Sequence, residues 1–295
     1  MTPIISVRPV TLPVADRGTD LQVRVTAPTT GGELPVVVLA HGFGESMDGY
    51  APLAEHWAAA GFAVVQPTFL DSRTLAVAPD DPRYAGIWRT RVQDVTRVLD
   101  ALDLLVDAVP GLPGRVDRGR IAVAGHSWGG QTVGMLLGAR VLDAAGRPGE
   151  SLRDPRVTAG VLLATTGTGD ELTPFAAEHF AFMRPDFTEL TTPTLVVAGD
   201  ADQSMLSSRG PDWFTDVYTL SPGATDLLTL RGGGHSLGGI TGYRVAETTD
   251  ESPERVALVQ RLTTAWLRTA LHVDDAAWGT ALTGVPGSVG RVDSK

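Results

Sequence analysis

Six short runs of this chain are dominated by apolar residues, and segments of helical periodicity separate them. The runs are Pro35–Ala40, Phe62–Gln66, Ile121–Ala124, Val157–Ala164, Thr194–Ala198 and Asp226–Leu230. A strand with one wet face alternates apolar and polar residues, whereas a continuous apolar run is buried on both faces. Between the runs, Gly49–Ala60 reads as a helix that halts at Gly61, and Gln131–Leu142 as another. Val92, Val95, Leu99, Leu102, Val106 and Val109 step by threes and fours, as do Val256, Val259, Leu262 and Trp266. Buried strands alternating with helices imply an α/β fold, with a mostly parallel sheet covered by helices on both faces. Two earlier strands, Val7–Leu12 and the alternating Leu21–Ala27, precede it. No repeat or linker divides the chain, so residues 1–272 are expected to form one domain. The glycine-, alanine- and aspartate-rich tail 273–295 is expected to be loosely packed, with Trp278 as its anchor.

Composition narrows the function. A net charge of −10 and a pI near 5.0 argue against nucleic acid and against anionic membrane surfaces. No run approaches eighteen apolar residues, so no membrane insertion is expected. The proline- and charge-broken start, Met1 to Asp20, lacks the apolar core of a signal peptide, and the chain is read as cytoplasmic. With no cysteine, disulfides, a thiol nucleophile and thiolate metal sites are excluded. No spacing suggests a metal site, and no phosphate loop or dinucleotide fingerprint appears, so no cofactor is expected. Asp80-Asp81 and the group Glu247, Asp250 and Glu251 read as solvated surface.

Gly125-His126-Ser127-Trp128-Gly129-Gly130 lies between the Ile121–Ala124 strand and the following helix. A serine at the apex of so tight a turn needs small neighbours two positions away on each side. The helix that follows points free N–H groups and partial positive charge at the reacting atoms. This is the setting of a nucleophilic serine.

Such a serine needs a base, and the base an orienting acid. Both are found just past later strands, where parallel sheets place their chemistry. Val196-Val197-Ala198-Gly199-Asp200-Ala201-Asp202 ends one strand in an acidic turn. Leu230-Arg231-Gly232-Gly233-Gly234-His235 ends the next in a glycine turn bearing a histidine. His235 is the candidate base. Asp202 is favoured as the acid because it lies farther from its strand. Asp200, the alternative, is better placed to bond backbone in the turn. Two N–H donors must meet the developing oxyanion. Trp128 offers one, and Phe43, in the loop His41-Gly42-Phe43-Gly44, the other.

These segments together resemble the α/β-hydrolase superfamily over roughly residues 35–270. Within it they look most similar to the branch of chlorophyllases, platelet-activating-factor acetylhydrolases, dienelactone-hydrolase-like proteins and polyester hydrolases. The resemblance implies an α/β-hydrolase fold with a short cap and a serine carboxylesterase acting on a small-molecule ester, with Ser127, Asp202 and His235 as triad. Dienelactone hydrolases proper use a cysteine, and secreted polyester hydrolases usually carry disulfides; this chain has neither. Residues 165–190 fall where the cap is expected and concentrate Phe175, Phe180, Phe182, Met183 and Phe187. Phe175, Phe180 and Trp88 are candidate pocket residues. The same triad would also serve a thioesterase, an acyltransferase or a cyclase, and the fold also supports a catalytically silent binding protein.

Overall fold

The computed structural model describes residues 2–77, 81–242 and 250–295; Asp80 and Glu247 of the acidic groups above lie outside them. The strands are β1 (Ile4–Leu12), β2 (Leu21–Pro28), β3 (Leu34–Ala40), β4 (Ala63–Pro67), β5 (Val116–His126), β6 (Arg140–Val141), β7 (Val157–Leu163), β8 (Pro185–Asp186), β9 (Thr194–Gly199), β10 (Ala224–Leu230) and β11 (Gly290–Ser294). The helices are α1 (Ala51–Ala59), α2 (Ile87–Asp100), α3 (Leu102–Asp107), α4 (Trp128–Leu137), α5 (Pro174–His179), α6 (Asp216–Leu220), α7 (Pro253–Ala270) and α8 (Ala277–Leu282). β6 and β8 form a separate two-stranded ladder; the other nine strands make one sheet in the order β1-β2-β4-β3-β5-β7-β9-β10-β11.

The six central strands, β4 to β10 in that order, are parallel. β3, β7, β9 and the Ile121–His126 part of β5 are almost wholly buried, as continuous apolar runs require. β3 lies between β4 and β5, so the chain winds one way through α1 and the opposite way through α2. Right-handed crossovers therefore place α1 and α2 on opposite faces of the sheet. α1 packs with α7, and α2 with α4. The reversal of winding opens a crevice beyond the carboxyl ends of β3 and β5, the usual binding place in such sheets. The register aligns those ends: Ala40 faces Gly125, His126 faces Leu163, and Leu230 faces Gly199.

Three sequence expectations change. The helix expected to run to Leu142 stops at Leu137. Gly138 adopts φ 123°, and a Cβ there would meet the Glu189 carbonyl oxygen at 2.3 Å. The chain leaves the helix to pair Arg140–Val141 with β8. The periodic stretch from Val92 to Val109 divides at Ala101 into α2 and α3. The tail is also ordered: β11 pairs antiparallel with β10 and closes that sheet edge. Asp226, buried on β10, accepts from Trp266 Nε1 at 3.3 Å, Trp278 Nε1 at 3.2 Å and Ser294 Oγ at 2.7 Å. A period-based reading misses this strand because its partner and its anchoring carboxylate are over sixty residues away.

Candidate active site

β5 ends at His126, and Ser127 makes the turn into α4 with φ 54° and ψ −124°. Non-glycine residues rarely occupy positive φ, so the turn stores strain that the surrounding packing must hold. The glycines make it possible. A Cβ at Gly125 would sit 2.3 Å from the Gly129 carbonyl oxygen, and one at Gly129 would sit 2.2 Å from that of Ala40. Neither backbone atom can move aside. Ser127 N–H donates to Leu163 O at 2.9 Å, fastening the turn to the end of β7.

His235 and Asp202 reach this serine from the ends of β10 and β9. His235 Nε2 lies 2.9 Å from Ser127 Oγ, and His235 Nδ1 lies 3.0 Å from Asp202 Oδ2. A carboxylate only accepts, so Nδ1 carries the ring proton and Nε2 is free to accept from the serine hydroxyl. The Asp202 side chain is fully buried, whereas that of His235 is 42% exposed. Asp200 points elsewhere: its Oδ1 accepts from Gly232 N at 2.6 Å. It braces the turn before His235 and does not touch the ring. Asp250 does similar work and is not the solvated residue the sequence suggests. Its Oδ2 accepts from Gly234 N at 2.7 Å and Gly238 N at 3.1 Å, gripping the histidine loop from both sides.

Among the described residues, the amides of Phe43 and Trp128 donate to no protein acceptor. Both residues line the cavity that holds Ser127 and His235, and their rings pack 5.7 Å apart. The loop bearing Phe43 is braced by groups that sequence reading passed over. Arg91 of α2 is fully buried and donates to Asp71 Oδ1 at 2.6 Å, to Thr132 Oγ1 at 2.9 Å and to the His41 carbonyl oxygen. Asp71 Oδ2 in turn accepts from Gly44 N at 3.0 Å. Burial pushes the Asp71 carboxyl up, but Arg91, His41 and the Gly44 amide outweigh it and hold it below its ordinary value. Burial, followed by the charge of Arg91, lowers His41 to about 4, so its ring is neutral. Arg91 sits four residues before Val95 on the buried stripe of α2, and a charged residue in such a stripe was the one visible signal.

The cavity measures about 450 Å³ and is mainly apolar. Phe175, Phe180 and Met183 of the segment 165–190 line it with Trp213, Phe214 and Leu206. Trp88 does not: it stacks behind Phe182 at 6.4 Å, and Phe182 stacks on Trp128 at 5.3 Å. Trp88 lines a smaller cavity with Arg140 and Leu152 instead. Among the described residues, the acidic and basic side chains lining this cavity besides its histidines are Glu45 and Arg73, 4.0 Å apart. Among the described residues, no group of three or more His, Asp or Glu side chains is placed to hold a metal ion, and no helix is long and apolar enough to cross a membrane.

The family model for chlorophyllases matches residues 6–140. The match spans the loop of Phe43, the elbow and α4, and it ends before Asp202 and His235. The match covers less than half of the chain, and the nine-stranded, mostly parallel sheet beside it settles the architecture. The chain has the α/β-hydrolase fold. No curated protein matches it at a significant level. The first half of the chain thus carries the sequence likeness, and the second half supplies the two residues that reach Ser127.

Proposed function

We propose that the protein is a serine carboxylesterase working through an acyl-enzyme. The observation that carries the reading is the hydrogen-bonded chain Ser127 Oγ, His235 Nε2, His235 Nδ1, Asp202 Oδ2, set beside two unengaged amides. His235 takes the serine proton as Ser127 attacks the ester carbonyl. The amides of Phe43 and Trp128 receive the oxyanion, each worth about 10²–10³ in rate. His235 then protonates the departing alcohol and activates the water that releases the acid. Asp202 keeps the imidazole in the required tautomer and stabilises its cation. The apolar cavity with its aromatic cap favours a neutral small-molecule ester with a sizeable apolar group. The family whose model matches is named for the hydrolysis of chlorophyll, an ester, which agrees with this bond type.

The test is hydrolysis of nitrophenyl esters of graded acyl length by wild type and Ser127→Ala side by side. Turnover that vanishes in the variant supports the reading, and the length profile sizes the pocket. A folded wild type that hydrolyses no ester and does not react with a fluorophosphonate overturns it.

A further inference from the structure

One buried polar relay touches the Phe43 loop, the elbow and the His235 loop without belonging to the Ser-His-Asp chain. Gly42 N–H donates to Tyr50 Oη at 3.0 Å. Tyr50 Oη lies 2.8 Å from His126 Nδ1, and His126 Nε2 lies 2.7 Å from the His235 carbonyl oxygen. The direction of each bond follows from donor chemistry. A carbonyl only accepts, so His126 Nε2 carries the proton. Burial first, and then the nearby His235, lower His126 to about 3, so the ring is neutral and Nδ1 is an acceptor. The Tyr50 hydroxyl therefore donates to Nδ1 and accepts from Gly42. Each proton in the relay has one place to go.

The relay is anchored at its middle. Tyr50 N–H donates to Thr241 O at 3.0 Å, and the residue holds φ 62° in the left-handed region as it enters α1. Tyr50 is 1% exposed and His126 is 4% exposed. Burying such polar groups costs free energy that their hydrogen bonds only offset, and an apolar pair of similar shape would pack without that cost. What the polar relay adds is position. Its two ends are main-chain atoms, one immediately before Phe43 and the other on His235 itself.

We propose that Tyr50 and His126 are positioning residues that fix the oxyanion loop and the backbone of the base at one separation across the nucleophile elbow. The assignment rests on the esterase reading above. The Gly42 bond fixes the His41–Gly42 peptide, one peptide unit before the Phe43 N–H, and so restricts the direction of the Phe43 amide. The His235 bond holds the loop so that Nε2 stays within reach of Ser127. Both side chains border the cavity, but in this role they act through the two backbone groups they hold. Its loss therefore falls on the transition state, where the oxyanion and the imidazolium form, more than on substrate binding.

The experiment compares wild type, Tyr50→Phe, His126→Leu, His126→Gln and the double variant Tyr50→Phe/His126→Leu, all as the full chain. It measures kcat and KM on one nitrophenyl ester, the rate of labelling by a fluorophosphonate, and the melting temperature. Tyr50→Phe and His126→Leu should each lower kcat and labelling rate by roughly 10- to 100-fold, in line with small misplacements of catalytic groups. KM should stay within about threefold, since ground-state contacts remain. His126→Gln, whose amide can still donate to the His235 carbonyl, should recover a large part of the leucine variant's loss. The double variant should be little worse than the poorer single variant, because both cut one relay. If His126→Leu does not fold, Tyr50→Phe and His126→Gln decide alone. Folded variants that keep full kcat and labelling rate, or that raise KM with kcat intact, overturn the positioning role while leaving the esterase reading in place. A wild type that neither turns over nor labels overturns both.

Discussion

Ser127 holds a backbone conformation at φ 54° that few L residues adopt, and glycines whose Cβ positions are filled by backbone surround it. The strain is kept because it lifts the hydroxyl toward His235 at the ends of the parallel strands. Ser127→Ala removes the hydroxyl without touching these packing constraints. It should therefore abolish ester turnover, by about 10³-fold or more, with an unchanged melting temperature. Asp202 and Asp200 stand two residues apart and do different work: one faces the imidazole, the other a backbone amide. Asp202→Asn should cost about 10⁴ in kcat through the wrong tautomer, whereas Asp200→Asn should stay within about tenfold of wild type. Steady-state kinetics on the two variants compare them directly, and the reverse ranking would remove Asp202 from the proposed role.

At the scale of elements, Arg91 ties α2 to the loop after β3, directly at the His41 carbonyl and indirectly through a buried ion pair with Asp71, which follows β4 and accepts from Gly44 N. Arg91 and Asp71 have no exposed side-chain surface, and Arg91 also stacks over Phe69 at 4.1 Å and Trp128 at 4.6 Å. Breaking one side of such a pair leaves an uncompensated buried charge. Arg91→Met should destabilise the protein by about 3–5 kcal/mol, read from denaturant unfolding. The double change Arg91→Met/Asp71→Asn should recover part of that loss. At the other end of the sheet, β11 covers the edge of β10, and α8 supplies Trp278 to Asp226. A chain ending at His272 would expose that edge and leave a buried carboxylate short of two donors. Its melting temperature should fall by roughly 5–10 °C, equivalent to about 2–3 kcal/mol for a domain this large. Light scattering should show concentration-dependent association through the bared strand.

The whole molecule couples its active-site scaffold to acid stability. His41 and His126 are buried, with values near 4 and 3 against an ordinary 6.5. Both are depressed, so the unfolded chain binds protons that the folded chain excludes. Their neutral forms suit folding above pH 6.5, and stability falls as the pH drops from 6.5 toward 4. The loss approaches about 1.4 kcal/mol per group for each pH unit. Asp71 acts lower: its carboxyl is depressed below 3.8, so its contribution is kept above that value and lost only as the pH falls past it. Melting temperatures measured between pH 7 and pH 4.5 should decline steadily, and a flat profile would contradict the burial of these rings as neutral groups.

What the sequence determined by itself was whatever local periodicity and short-range sterics encode. Continuous apolar runs marked β3, β5, β7 and β9 as doubly buried, and their alternation with helices gave the parallel sheet. The elbow was legible because the clash that demands Gly125 and Gly129 arises within a few residues of Ser127 and along the adjoining strand. The candidate base and acid were visible because each follows its strand by a few positions. Tertiary structure decided the rest. Asp202, favoured over Asp200 in the sequence by its distance from the strand, meets the imidazole because of the direction in which β9 delivers its turn toward β10. Trp88 was drawn away from the cavity because Phe182 fills the space between it and Trp128. Arg91, Asp71, Tyr50, His126 and Asp250 owe their roles to partners 12 to 109 residues away. The tail was ordered by an edge strand and a buried carboxylate that no local pattern announces. Periodicity reports which face of an element is buried, and it carries no information on which distant hydrogen-bonding groups will meet there. That pairing is set when the sheet closes its order and brings the carboxyl ends of its strands together.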